Sequence, residues 1–362
     1  MGRILGMPDV EAAIRGGSVF AAGGGGWAEH GRMLGTAAVS IGRPELVSMD
    51  EVPDEAWIAT AAAIGAPAGT TTWQMLGVDY VKAVELLQDA LGAPLYGLMI
   101  GQNGMSSTLN AWLPGALLGT KVVDAVGDIR AHPTGDMGSI GMAGSPEATI
   151  QVAVGGHRDS RSYIELVVRG ATAKISPILR KAADMSGGFI ASCRNPARAS
   201  YVKRHAALGG ISQAIQLGQA IMAAEAGGGA AVIDAICNTT SGTILGKGRV
   251  TRKAVNYTEA AFDIGTITIQ CDTRDLVLHV MNEYMAVATG DGDRLATFPD
   301  VITTLGPDGS PVSVGHIEEG HELSVFHIAK AHLPLSSSVM DPGVYPVCEA
   351  ALGIPIARYA LA

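Results

Sequence analysis

Charge is scarce in this chain. Only 16% of its 362 residues are Asp, Glu, Lys or Arg, and 34 acidic side chains against 25 basic ones leave a net charge of −9. No cluster of Lys or Arg breaks that acidic balance, so the electrostatic footprint needed for a phosphate backbone is missing and no nucleic-acid partner is expected. Long hydrophobic runs are missing as well. The most apolar one, Ala56 to Ala68, contains Thr60 and Pro67, stays below the ~18 apolar residues of a bilayer span, and reads as a buried strand. Arg3, Asp9, Glu11 and Arg15 break up the N-terminal segment, which does not have the pattern of a secretory leader. A soluble, cytoplasmic protein without a membrane partner is expected. The four cysteines (Cys193, Cys237, Cys271, Cys348) stand tens of residues apart with no Cys-x-x-Cys, which excludes a disulfide scaffold and predicts reduced thiols. Aromatic residues make up 5%, and all four tryptophans (Trp27, Trp57, Trp73, Trp112) fall in the first 112 residues. With 48% hydrophobic residues, this predicts apolar surface hidden in a homo-oligomer.

What the chain has in excess is glycine, 48 residues, about twice the usual ~7%. The glycines sit between patterned apolar segments, at places where the backbone turns or a ligand approaches it closely. Asp9 to Arg15 reads as a short helix stopped by Gly16-Gly17, and Ser18 to Ala22 as a strand entering Gly23-Gly24-Gly25-Gly26. Trp57 to Ile64 is a strand entering Gly65 to Thr72. A helix follows, with Asp79 as its N-cap, the stripe Val81, Val84, Leu87 and Leu91, and Gly92 at its end. Leu95 to Ile100 is a strand entering Gly101 to Thr108. After a helix over Leu109 to Leu118 comes the strand Lys121 to Ala125, which enters Val126 to Asp136. Strands alternating with helices predict right-handed crossovers and a mostly parallel sheet. Ligands of such sheets bind beyond the carboxyl ends of the strands, so the four glycine-rich segments should meet at one edge.

After about Arg169 the pattern changes. Helical periodicity over Ser200 to Glu225 breaks at Gly209-Gly210, and short alternating segments follow, including a hairpin of Val301–Leu305 and Val312–Val314 around Gly306 to Ser310. The expected architecture is a three-layer α/β domain over residues 1–168. Residues 169–362 should form an α+β domain containing a β-barrel or sandwich.

The densest polar constellation is Asp124, Asp128, Arg130, His132 and Asp136. Asp124, Asp128 and His132 are the candidates for a general base or for the ligands of a divalent metal, with Arg130 gripping a carbonyl or carboxylate oxygen. Gly24, Gly25 and Gly26 offer backbone N–H groups to a small ligand. No Walker or Gly-x-Gly-x-x-Gly spacing accompanies them, so no nucleotide is expected. Thr70, Thr71, Gln102 and Asn103 are candidate substrate contacts, the two carboxamides matching the donor–acceptor edge of an amide or imide. Asn282-Glu283 reads as a local turn, and Cys193, beside Arg194, as an inert thiol. His316, His321, His327 and His332 lack zinc-site spacing.

Taken in order, these segments resemble the S-methyl thiohydantoin desulfurase family. The likeness is carried by Gly23 to Gly26, Gly65-Ala66-Pro67, Ile100-Gly101 with Asn103, and Asp124-Ala125 with Asp128, Arg130 and Pro133. It continues through Gly246-Lys247, Arg252, Asn282-Glu283, Pro299-Asp300 and Asp341-Pro342. The resemblance implies a three-layer α/β domain, a barrel-containing C-terminal domain, and an enzyme acting on a five-membered cyclic amide or thioamide. Met99 stands where the family usually has Glu, Gln102 replaces a glycine, Gln74-Met75 fall where Glu-Lys is usual, and Thr134 occupies a frequent Glu position. The first expectation is a hydrolase of a small cyclic amide, imide or thiohydantoin, using water activated by a base or a metal. A non-catalytic binding or accessory subunit, or an isomerase or lyase on the same ring, are the alternatives.

Overall fold

The computed structural model describes residues 2–65, 74–258 and 262–362. Their first sheet has nine strands: β1 (Arg3–Ile4), β2 (Glu45–Val47), β3 (Trp57–Gly65), β4 (Gly97–Gln102), β5 (Lys121–Asp128), β6 (Thr149–Gly155), β7 (Ile164–Gly170), β8 (Phe189–Arg198) and β9 (Ala207–Leu208). They run in the order β1-β2-β5-β4-β3-β8-β6-β7, with β9 beside β5. β2, β5, β4 and β3 form the parallel centre, and antiparallel strands flank it. The central strands are apolar on both faces, as a covered parallel sheet requires. Ala59, Ala61, Leu98, Ile100, Val122 and Val126 belong to the core shared with α1 (Met7–Phe20), α2 (Ala28–Ile41), α3 (Gly77–Leu91) and α4 (Trp112–Leu118). Their sequence neighbours Ile58, Met99, Val123 and Ala125 belong to the core on the opposite side. That face is covered by α5 (Thr172–Met185), over β6 and β8, and by α6 (Ala199–His205).

The N-terminal segment differs from the reading of a short helix followed by a strand. α1 continues through Gly16-Gly17 to Phe20, so the glycine loop follows a helix. The reason is tertiary. A Cβ on Gly16 would stand 1.8 Å from the Ala214 carbonyl oxygen of α7 (Gly210–Ala224), and one on Gly218 of α7 would stand 1.8 Å from the Ala12 carbonyl oxygen. The helices therefore cross at backbone contact, and the two glycines serve that crossing rather than stop the helix. α7 and α8 (Gly228–Thr240) together make the one stretch, Gly210–Thr240, that is long and apolar enough to cross a membrane among the described residues. A 3₁₀ turn at Glu225–Gly227 divides it, and one face of α7 is packed inside the molecule. Asp79, expected as an N-cap, is instead the third residue of α3, where its carboxylate accepts the Leu76 N–H at 2.8 Å. Gly92 ends that helix at φ 72° as expected.

The second sheet contains β10 (Thr243–Tyr257), β11 (Asp263–Cys271), β12 (Asp275–Met281), β13 (Glu283–Thr289), β14 (Arg294–Thr297), β15 (Val301–Leu305), β16 (Pro311–Val312) and β17 (Glu322–Ile328), followed by α9 (Pro346–Leu352). The order is β14-β13-β12-β11-β10-β17-β15-β16, every pair antiparallel. The predicted 306–310 hairpin is the β15–β16 pair. The expected barrel does not close, because no ladder joins the ends of this order among the described residues. The sheet curls enough for Tyr284 Oη on β13 to meet Thr304 Oγ1 on β15 at 3.0 Å. Only Phe298-Pro299-Asp300 separates β14 from β15.

Two backbone bonds clamp the glycine loop to this second sheet. Tyr284 N–H donates to the Ala22 carbonyl at 2.9 Å, and Val314 N–H donates to the Gly23 carbonyl at 3.0 Å.

The α1–α7 contact yields a direct test. Gly218→Ala should cost about 1–3 kcal/mol or more, as overpacking against a fixed backbone does, seen as a lower urea midpoint at unchanged m-value. Gly315→Ala is the control, since nothing stands within 4 Å of its added carbon. Its midpoint should stay at the parent value.

Candidate functional site

Parts of all four segments border one space, the second represented by Gly65 alone because residues 66–72 of it lie outside the described residues. A cavity of about 60 Å³ is bordered by Gly24, Gly25 and Gly26 after α1, Gly65 at the end of β3, Gln102 and Ser107 after β4, and His132 to Gly135 after β5. The opposite wall comes from Ser176 and Arg180 of α5, Phe189 and Arg194 of β8, and Asn282 and Glu283 leading into β13. Three of the four segments arrive because parallel strands end on one edge. The first arrives by way of α1.

Within this cavity the charged groups are almost fully removed from water, which decides their protonation. Glu283 is 5% exposed and its Oε2 has no hydrogen-bond partner. Burial pushes its carboxyl up to about 8, against the pull of Arg130 and Arg180. A Cβ on Gly24 would lie 2.3 Å from Glu283 Oε1, so only glycine lets the loop lie so close to this carboxyl. His132 is driven down to about 3 by burial, reinforced by Arg194, and is neutral. Its Nε2 lies 3.4 Å from the Gly101 carbonyl, and donation there leaves the partnerless Nδ1 as an acceptor. Gln102 Oε1 accepts the His132 backbone N–H at 3.1 Å and so holds that residue in place. Burial lowers both Arg194 and Arg180 to about 10. Arg180 donates to the Pro133 carbonyl at 2.7 Å, and Arg194 Nε has no partner. Both remain cations at neutral pH, so neutral acid, neutral imidazole and guanidinium share one small space.

The other residues singled out from the sequence stand elsewhere. Asp128 and Arg130 are fully buried behind the cavity. Burial pushes the Asp128 carboxyl up to about 7, against Arg130, and its Oδ2 is unpartnered. Arg130 donates to the Ala131 carbonyl at 2.9 Å and the Asp300 carbonyl at 2.7 Å, with its guanidinium over the Phe298 ring. It therefore ties the two sheets together. Asp124 lies along β5 with Oδ1 accepting the N–H groups of Ile211 at 2.9 Å and Ser212 at 3.1 Å, the first turn of α7. Asn103 donates to the Ile129 and Gly210 carbonyls, both at 3.0 Å, and holds loops together beneath the cavity. Thr70 and Thr71 lie outside the described residues. Among those described, no three His, Cys, Asp or Glu side chains are grouped to hold a metal ion, and Asp124 Oδ1 is occupied by the α7 N–H groups.

Asn282-Glu283 is more than the local turn expected of it, since both residues line the cavity. Asn282 supplies the turn, at φ 58° with Oδ1 accepting the Asp263 N–H. Arg180 and Arg194 were not among the predicted site residues. The available signal was an arginine inside the apolar run Phe189–Arg198, a place where an unneeded charge is costly. Cys193 is buried and its thiol is pushed up to about 12, so it is un-ionised. Of the family departures, Met75 and Met99 are core residues. Thr134 lines the cavity.

The model of the S-Me-THD-like N-terminal domain matches residues 8–161, and that of the S-Me-THD-like C-terminal domain matches residues 171–337. A crystal structure of a protein from Chromobacterium violaceum shares the fold, with TM-score 0.73 and 22% identity, covering 97% of this chain and 96% of that one. No curated protein matches the chain.

Two predictions follow from these placements. Asp124→Ala should cost about 1–2 kcal/mol, as loss of a helix N-terminal acceptor does, whereas Asp124→Asn, which keeps an acceptor oxygen, should unfold closer to the parent. For Glu283 the folded pKa of about 8 lies above the unfolded value. The stability it supplies is complete below ~4.3, the unfolded carboxyl pKa, and is lost as pH rises through about 8. Asp128 shifts the same way, toward about 7. Glu283→Gln should therefore show a shallower loss of urea stability between about pH 5 and pH 9 than the parent, keeping the shares of the other shifted groups, Asp128 among them. Equal slopes would place the titration in other groups.

Proposed function

The chain belongs to the S-Me-THD-like family, and from that premise we propose that its cavity hydrolyses a small five-membered cyclic amide, imide or thiohydantoin. Membership supports a role in hydantoin or thiohydantoin processing. The observation that carries the finer reading is the meeting of a protonated Glu283, a neutral His132 with a free Nδ1, and a buried Arg194 beside glycine-loop backbone.

Each group has a part in adding water to a ring carbon. The His132 Nδ1 lone pair holds the water and takes its proton as the oxygen attacks. Arg194, with the N–H groups of Gly25 and Gly26, faces the oxygen or nitrogen on which negative charge develops, where fixed dipoles in a dry site are most effective; the Gly24 N–H is donated to the Ala21 carbonyl. Glu283, protonated below about 8, gives its proton to the departing ring nitrogen or sulfur. The imidazolium left on His132, a strong acid because burial disfavours its charge, returns a proton to the Glu283 carboxylate. The cycle closes with one water consumed and no net proton change on the protein. Arg180, which pulls the Glu283 carboxyl down against burial, eases the donation step, while the return is driven by burial, which holds Glu283 near 8 and His132 near 3. In this reading Asp128 and Arg130 support the site from behind.

The test is incubation with hydantoin, 2-thiohydantoin, S-methyl-2-thiohydantoin, dihydrouracil and a γ-lactam, followed by mass spectrometry. Addition of water to a five-membered ring, or release of methanethiol from the S-methyl compound, is the expected result. Glu283→Gln should lower kcat by the ~10²–10⁴-fold typical of a lost general acid, and parent kcat/KM should decline as pH rises through about 8. If none of the five-membered rings is turned over or bound, the reading is wrong.

A further inference from the structure

The reacting cavity is small, but it is not isolated. A second cavity of about 360 Å³ lies against it, and the two share Thr134, Gly135, Ser176 and Arg180. A ring held in the inner space with its reacting atoms toward the glycine loop and the Glu283 carboxyl would project a substituent across this common wall. The outer space offers such a substituent mainly apolar surface, from Pro177, Phe262 and Val347. Of its charged groups the cations are engaged, while Asp136 carries a buried Oδ1 without a partner and a carboxyl pushed up by burial, which also disfavours an anionic substituent. Lys181 pairs with Asp184 at 2.6 Å, and the Arg180 guanidinium carbon lies over the Phe262 ring at 4.4 Å from its centroid while the group donates to the Pro133 carbonyl. The Phe262 ring, with Pro177 and Val347, gives the cavity an apolar wall that suits a hydrocarbon group.

Building on the proposed function, we infer that the outer cavity is a specificity subsite for an apolar substituent on the substrate ring, of the benzyl or branched-alkyl class. Burying such a group against Phe262, Pro177 and Val347 favours binding through released water. An anionic substituent would have to displace contacts that already satisfy Arg180 and Lys181. Val347 is the residue to alter, because it is 57% exposed on the first turn of α9 and lines only the outer cavity.

Calorimetric titration of the parent protein with hydantoin, 5-benzylhydantoin and 5-carboxymethylhydantoin tests the assignment. The benzyl compound is expected to bind at least about tenfold more tightly than hydantoin. Val347→Trp, which fills the outer cavity, should abolish that gain and leave the hydantoin affinity unchanged. Val347→Ala, which only shortens one wall, should reduce the gain partially and serves if the tryptophan variant does not fold. Equal affinity for all three ligands overturns the subsite, as does tightest binding of the carboxymethyl compound, which would make Arg180 and Lys181 a charge-reading wall. Failure of hydantoin and 5-benzylhydantoin alike to bind overturns the ring-processing function itself and the subsite with it, a result distinct from ring binding without a side-chain preference.

Discussion

The backbone contact between α1 and α7 is the constraint on which the site depends. With hydrogen in place of Cβ at Gly16 and Gly218, each helix rests on a carbonyl of the other, and α1 is carried far enough to deliver Gly23 to Gly26 over the ends of β4 and β5. Gly17 continues the same packing, since a Cβ there would meet the Gly104 carbonyl and Thr108 Oγ1. The glycine loop then has no freedom to leave. Ser106 N–H donates to the Gly25 carbonyl at 3.1 Å from one side, and Tyr284 and Val314 hold Ala22 and Gly23 from the other. Two sheets that could have been separate bodies are thus joined at the loop that roofs the cavity.

Desolvation does the electrostatic work in that enclosed space. The same burial that holds a proton on Glu283 removes one from His132, so acid and acceptor are set in opposite states without a charged pair between them. The guanidiniums remain charged because arginine starts so far above neutrality that a loss of two or three pKa units changes nothing at pH 7. Several buried polar atoms here, Glu283 Oε2, His132 Nδ1, Arg194 Nε and Thr134 Oγ1, have no partner. Orphans of this kind are costly in a folded interior, and their grouping around one cavity marks where water or a ligand supplies the missing bonds.

Much of this was legible in the sequence because it rests on local rules. Predominantly apolar runs at Trp57 to Ile64 and Leu95 to Ile100 read as covered strands, and strands of one direction place their following loops on one edge whatever the residues elsewhere. Gln102 and His132 were found for that reason, whereas the Gly24 to Gly26 loop reaches the same edge from the end of α1 and not from the strand expected before it. The densest polar cluster was less informative than its composition suggested. Asp124 and Arg130 satisfy backbone groups, and Asp128 lies behind the cavity, because spacing along a strand does not say which face meets the ligand.

What the sequence alone determined is the set of covered strands, the parallel centre, the β-rich second half and the edge at which a ligand would sit, all consequences of periodicity within short windows. Only the tertiary structure decided that Gly16-Gly17 continues a helix, because the meaning of a glycine depends on the backbone placed against it. Only the tertiary structure brought Arg180, Arg194 and Glu283 opposite His132, since those positions are separated by up to 151 residues (283 − 132) and no local pattern links them. Their protonation states were decided there too. A carboxyl at about 8 and an imidazole at about 3 are properties of burial, and burial exists only once the chain has folded around them.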